Sequence, residues 1–340
     1  MKRHLLPPGR YYKANLHTHT NISDGQWSPE ETRDAYKALG YSILAITDHS
    51  VMVSHQELNQ EDFLMLTGTE IEIEDTQGPS WRGLGRERHF CLIAKDPDHL
   101  WIPFRDPNPI PRSKPYEVLA EVGGLPRAYS AEAINRIIAE SNRQGYLVTY
   151  NHPQWSLESY PDYGPMEGLW AMEYRNADSL ARGYDENNGQ VYGDFLRQGK
   201  FLMPVCSDDL HRQVYFNGYR VLGRAWNMIG AEELTYEKVI EAMERGDLYA
   251  SCGPELHSLT WEEGILHLTC SPVERIQVLT HIPWVAHQVA KEGEDLTEVE
   301  FDMKQWWAEC ANQESGFLRL ILTAHDGTYA VTRAYRTGEL

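Results

Sequence analysis

The chain has 340 residues, 41% of them apolar, and a formal net charge of −19. This length holds one large domain or two ordinary ones with a real core, and no run approaches the roughly 20 apolar residues of a membrane span. An acidic surface gains no counterion-release affinity for long nucleic acid and repels anionic lipid, so neither is an expected partner. The start, Met1-Lys-Arg-His4, is not followed by a signal-type apolar run. Five scattered cysteines, odd in number and without CxxC spacing, point to a reducing cytoplasm.

Tyr11, Tyr12, Ala14 and Leu16 predict a short buried strand running into His17-Thr-His19 and Asp24. Alternate side chains of a strand share a face, so His17 and His19 point the same way. Ser28 as cap, Pro29 at the first position and Glu30 and Glu31 in the first turn predict a helix over 29–39, stopped by Gly40. The apolar run 41–46 delivers Thr47-Asp48-His49, and 63–66 delivers Gly68-Thr-Glu70. A strand over 89–94 carries its histidine at the start, unlike the others. Residues 96–128, rich in proline and charge, read as a surface excursion or lid. A helix over 131–144 lies between Ser130 and Gly145. The run 146–150 then delivers Asn151-His152-Pro153. Strand 169–174, a helix ending over 194–198, and strand 201–206 lead to Ser207-Asp208-Asp209-Leu-His211. A helix over 236–245 ends at Gly246.

This alternation predicts an α/β fold with a mostly parallel sheet and the site at the C-terminal strand ends. After Gly253-Pro254 short alternating runs separated by turns such as Glu263-Gly264 predict an antiparallel β-sandwich. The expected division is a catalytic domain over 1–252, including the excursion, and an accessory domain over 253–340.

His17, His19, Asp24, His49, Glu70, His89, His152, Asp209 and His211 can together hold more than one metal ion. The absence of thiolate fits Zn²⁺, Mn²⁺ or Fe²⁺. The order HxH…D, TDH, E, H, NHP and SDxxH resembles the polymerase-and-histidinol-phosphatase (PHP) family of metal-dependent phosphoesterases, over residues 11 to about 252. The resemblance implies a distorted seven-stranded (β/α)7 PHP barrel. It also implies three ligand sets: His17, His19, Glu70 and Asp209; Glu70, His89 and His152; and Asp24, His49 and His211. Asp208 would orient a ligand or a water. The C-terminal part more loosely resembles the carbaryl-hydrolase-like branch, which is not restricted to phosphate esters.

Three divalent ions against three carboxylates would give the cavity +3, which suits a phosphate despite the acidic surface. Hydroxide formed at two or three such ions would attack phosphorus. The expected activity is therefore hydrolysis of a small phosphate ester, with Glu70, Asp209 and His211 as catalytic groups. Alternatives are a phosphodiesterase or exonuclease on short oligonucleotides, a carboxyl or carbamate ester hydrolase, and, last, an inactive scaffold or binding protein. Arg88, Arg175 and Arg212 are the expected substrate contacts. Trp101, Phe104 and Trp155 could line the mouth or simply pack.

Overall fold

The computed structural model describes residues 2–78, 85–185, 187–211 and 214–340. Strands β1 (Arg3–Leu6) and β2 (Tyr11–Asn15) precede helix α1 (Pro29–Lys37). Ser28 Oγ accepts the Glu31 amide at 3.2 Å, and Glu31 Oε2 accepts the Ser28 amide at 2.9 Å. This reciprocal cap satisfies two donors that the first turn cannot. Next come β3 (Ile43–Ile46), β4 (Leu64–Glu74) and β5 (Glu87–Ala94). The two-residue strands β6 (Trp101–Ile102) and β7 (Glu121–Val122) pair within the excursion. Helix α2 (Ala131–Arg143), β8 (Tyr146–Tyr150), the short α3 (Tyr160–Tyr163), β9 (Ala171–Asn176), α4 (Ala177–Arg182), α5 (Gly189–Arg197) and β10 (Met203–Ser207) follow. A small hairpin, β11 (Tyr215–Phe216) and β12 (Tyr219–Arg220), precedes β13 (Trp226–Gly230), α6 (Tyr236–Arg245) and β14 (Leu248–Ser251).

Backbone pairing sets the order β10-β9-β8-β5-β4-β3-β2-β13-β14. Strands β2, β3 and β4 run parallel, as do β8, β9 and β10. Strand β5 is antiparallel to both of its neighbours, β4 and β8. The expected mostly parallel sheet is therefore mixed. The reversal also accounts for His89: the start of a reversed strand lies beside the C-terminal ends of its neighbours.

A barrel would also need its ends joined, and among the described residues no backbone ladder joins β10 to β13. A side chain spans that gap instead. Asn227, fully buried on β13, accepts the Cys206 amide at 3.0 Å and donates to the Cys206 carbonyl at 2.9 Å. These strands are buried on both faces. Ile43, Ala45, Leu66, Ile93 and Val205 pack with α6, while Leu44, Met65, Leu92 and Val148 pack with α1, α2 and α5. Such double burial explains their continuous apolar runs.

Strands β15 (Leu256–Glu262), β16 (Ile265–Val273), β17 (Arg275–Thr280), β18 (Val285–Val289) and β19 (Leu296–Asp302) lead to α7 (Lys304–Cys310), β20 (Phe317–Thr323), β21 (Tyr329–Thr332) and β22 (Tyr335–Arg336). They are not a separate pair of sheets. Strand β21 pairs with β14, so β17, β18, β20, β21 and β22 extend the first sheet. The facing sheet, β1-β15-β16-β19, takes in the first strand of the chain. Leu6, Leu259, Leu268 and Val299 meet Ile276, Val278, Leu318 and Leu320 between the two sheets.

The excursion lies on the molecule. Trp101 and Phe104 are buried in the core, which excludes them from the mouth of the site. Ser113 Oγ donates to the Ile22 carbonyl and Arg112 to that of Gly25, which ties the excursion to the loop carrying Asp24. No described helix is long and apolar enough to cross a membrane.

Replacing Asn227 by Leu keeps the volume but leaves two buried Cys206 backbone groups without that partner. Urea denaturation is expected to show a loss of about 2–4 kcal/mol. A change under about 0.5 kcal/mol would mean that Asn227 does not hold β10 to β13.

Candidate metal centre

All nine side chains singled out above converge at one end of the strands. Nε2 of His17 and Nε2 of His19 lie 3.1 Å apart. Each is 3.2 Å from Glu70 Oε2 and 3.2 Å from Asp209 Oδ1. Four such donors, all within 4.8 Å of one another, are close enough to share one small divalent cation. Asp209 Oδ1 is buried without a hydrogen-bond partner among the described residues, as is His19 Nδ1. The donor set therefore fits a small divalent cation.

Glu70 turns its other oxygen to a second cluster. Oε1 lies 3.1 Å from His89 Nδ1 and 3.3 Å from His152 Nε2, and accepts Asn151 Nδ2 at 2.6 Å. A third cluster is wider. Asp24 lies 3.7 Å from His49 Nε2 and 3.5 Å from His211 Nε2, and the two imidazoles are 3.5 Å apart. The Asp24 side chain is 37% exposed, whereas that of Glu70 is buried.

Each cluster has a histidine whose far nitrogen meets a carboxylate that the sequence reading did not assign. His17 Nδ1 is 2.7 Å from Glu173 Oε1, His89 Nε2 is 3.2 Å from Glu87, and His49 Nδ1 is 2.6 Å from Glu72. Such partners fix ring orientation and leave the other nitrogen's lone pair toward a cation. His211 does the same with a backbone group, its Nδ1 lying 2.9 Å from the Asp209 carbonyl. Glu173 is wholly buried among donors: His17, Ser207 Oγ, the His152 amide and Asn176 Nδ2.

Burial works against protonation of His17 and His19, but Asp209 and Glu70 outweigh it, raising both and carrying His19 to about 10. Burial likewise opposes charge on His89 and His49, yet Glu70 holds the first at about 10 and Glu72 the second at about 9. Burial and the neighbouring His19 push His211 down to about 4. Burial raises Glu70 and Asp209, but His17 and the other imidazoles bring both well below the usual carboxylate range.

The clusters face a cavity of about 230 Å³. Its wall includes Glu72, Glu87, Asp178, Ser179 and Arg182 besides the expected groups. Trp155 packs against His89 and His152 with ring centroids 5.0 and 4.9 Å away. Counting the described lining residues, six carboxylates and one guanidinium set against three divalent ions leave +1, where the sequence count gave +3.

Two of the three expected arginine contacts, Arg88 and Arg175, are elsewhere. Arg88 alternates with His89 on β5 and is buried in an ion pair with Glu158, beneath Tyr129. Arg175 lies over the Tyr329 ring and does not line the cavity. Arg212 lies outside the described residues. Asp208 does not orient a ligand either: its carboxylate accepts the amides of Gly223, Arg224 and Ala225 and anchors that loop.

Among the described residues the arginine that lines the cavity is Arg182 on α4, a helix not anticipated from the sequence. A signal was available: Asn176 Oδ1 caps the Ser179 amide at 2.9 Å, and Gly183 ends the helix at φ 100°, a conformation that favours glycine.

Residues 15–165 match the PHP domain family, a stretch of less than half the chain. It contains His17, His19, Asp24, His49, Glu70, His89 and His152. Asp209 and His211 lie beyond it and join the others in space. No curated protein matches the chain. Among solved structures, a two-domain Bacteroides vulgatus protein containing a predicted PHP-like metal-dependent phosphoesterase is similar at 15% identity, with 98% of each chain covered and a TM-score of 0.44. A candidate metal-dependent phosphoesterase from Bifidobacterium adolescentis shares 17% identity over 60% of this chain and 89% of its own, with a TM-score of 0.40. An amidohydrolase from Chromobacterium violaceum, with bound sulfate and no metal, shares 16% over 58% of this chain and 87% of its own, at a TM-score of 0.36.

Glu173→Gln would turn an amide N–H₂ toward two of the donors that the carboxylate now accepts. Metal affinity, read by competition with a chromophoric chelator, is expected to fall about 10–100-fold while the far-UV spectrum stays unchanged. Unaltered affinity would remove Glu173 from the support of His17.

Proposed function

With a PHP domain over residues 15–165 as premise, we propose that the protein is a metal-dependent phosphoesterase acting on a small phosphate ester. The observation that carries this reading is the division of Glu70, one oxygen to each of two donor clusters. That is how one carboxylate sets two cations side by side. His17, His19, Glu70 and Asp209 would hold the first, Glu70, His89 and His152 the second, and Asp24, His49 and His211 a third. Divalent ions there, Zn²⁺, Mn²⁺ or Fe²⁺, supply the Lewis acidity that acidifies water and neutralises a phosphoryl group.

The chain's own groups do the rest. Glu173, Glu87 and Glu72 keep the near nitrogens of His17, His89 and His49 turned inward. His211, its ring fixed by Nδ1–H on the Asp209 carbonyl and kept neutral by burial and His19, turns the Nε2 lone pair toward the third donor cluster. Trp155 walls the second cluster, and the small cavity suits a compact ester. The acidic surface favours a small molecule or short oligonucleotide over a long polymer, and the five buried free cysteines suit the cytoplasm.

The lowered cavity charge favours a second reading at the same centre, a phosphodiester, which carries one negative charge where a monoester carries two at neutral pH.

The test is turnover of p-nitrophenyl phosphate, phenylphosphonate and acetate by Mn²⁺-loaded protein. Asp209→Ala and His17→Ala are each expected to lower turnover of the phosphorus esters by about a thousand-fold or more, with the fold retained. A rate ratio favouring phenylphosphonate would select the diester reading. Turnover confined to acetate, or wild-type rates in Asp209→Ala, would overturn the phosphoesterase assignment.

A further inference from the structure

We propose that Arg182, with Ser179 one turn before it on α4, is the anion-recognition wall of this site and binds the non-bridging oxygens of the substrate's phosphoryl group. The inference rests on the phosphoesterase reading. Among the described residues lining the cavity, Arg182 is the one permanent cation. Its Nε is engaged with Asp178 Oδ2 at 2.5 Å, a contact from one helical turn to the next. Among the described residues Nη1 and Nη2 make no hydrogen bond, and the side chain is 35% exposed. Asp178 is itself buried, and its backbone amide donates to the Asp208 carbonyl. One edge of the guanidinium is thus fixed by Asp178 and its face lies over the Phe216 ring at 5.5 Å, which pre-orients the remaining Nη donors as a fork at little entropic cost.

The placement suits an anion held between helix and metal clusters. A carboxylate oxygen of Asp178 lies within 4.8 Å of ligand atoms of Asp209 and His211, so the helix face abuts the first and third donor sets. Ser179 lines the same cavity with its hydroxyl and makes no side-chain hydrogen bond among the described residues. A phosphoryl group offers more oxygens than the metals need. A planar guanidinium matches two of them at once. The acidic lining points the same way: without Arg182, three ions against six carboxylates leave the described lining with no net positive charge.

The experiment compares wild type, Arg182→Met and Arg182→Lys, all Mn²⁺-loaded and with metal content verified. Inorganic phosphate is the probe, titrated by calorimetry. In parallel, p-nitrophenyl phosphate and p-nitrophenyl acetate are turned over. Arg182→Met is expected to weaken phosphate binding about 10–100-fold and to raise KM for the phosphate ester similarly, while acetate hydrolysis is unchanged. Arg182→Lys should recover only part of the loss, because it restores charge without the fork. Unchanged phosphate affinity in Arg182→Met would overturn the proposal, as would an equal fall in both esters, the mark of a merely structural role. Should the wild type hydrolyse no phosphorus ester yet bind phosphate through Arg182, the catalytic reading would fail while the anion site stood.

Discussion

The structure depends on keeping Glu70 ionised where water hardly reaches it. A lone buried carboxylate costs several kcal/mol, and the cost is offset only when hydrogen bonds and opposite charge surround it completely. Four different segments meet that demand: His17 and His19 after β2, His49 after β3, His89 on β5, and Asn151 and His152 after β8. None of these segments can shift alone without leaving a charge unpaired. Backbone strain follows from the same convergence. Ser50, His152 and Asp209 hold φ values of 55°, 20° and 52°, which side-chain-bearing residues seldom adopt.

A second layer of buried carboxylates makes those loop positions tenable. Asp48 accepts from the amides and hydroxyls of Thr20 and Ser23 and so shapes the turn that carries Asp24. Asp208 holds the loop at 223–225, and Glu173 gathers His17, His152, Asn176 and Ser207. Glu158 takes Arg88 and the hydroxyls of Tyr129 and Tyr150, which fixes the segment just beyond His152. The acidity of the chain is thus partly internal, used for positioning.

Much of this was legible in the sequence because metal-ligand spacing and strand termination are local signals. The segments holding His17, His49, Glu70, His152 and Asp209 could each be read from an apolar run ending in a polar cluster. The features that escaped depend on contacts between distant segments. Nothing near His89 says that β5 is reversed, since strand direction is set by its neighbours. Alternation also left it open which residue of β5 faces the cavity, and Arg88 lies on the other face from His89. Glu173 sat inside a run read simply as a strand, and its role emerges only once His17 lies beside it. Asp178 and Arg182 were readable in principle, through the cap and stop of α4, but a helix so short gives too little apolar periodicity to announce itself.

The pairing of β1 with β15 carries a consequence for how the chain reaches this state. Arg3 lies opposite Trp261, so β1 cannot be paired until the metal-binding part between them has been synthesised. Contacts of such long sequence separation form late, after the loop between them has closed. Until then Leu5 and Leu6 remain an uncovered apolar strand, and β15 lacks the neighbour that will shield its edge. During synthesis the nascent chain therefore carries a sticky segment at β1, a risk of misassociation that ends only when β15 pairs with it.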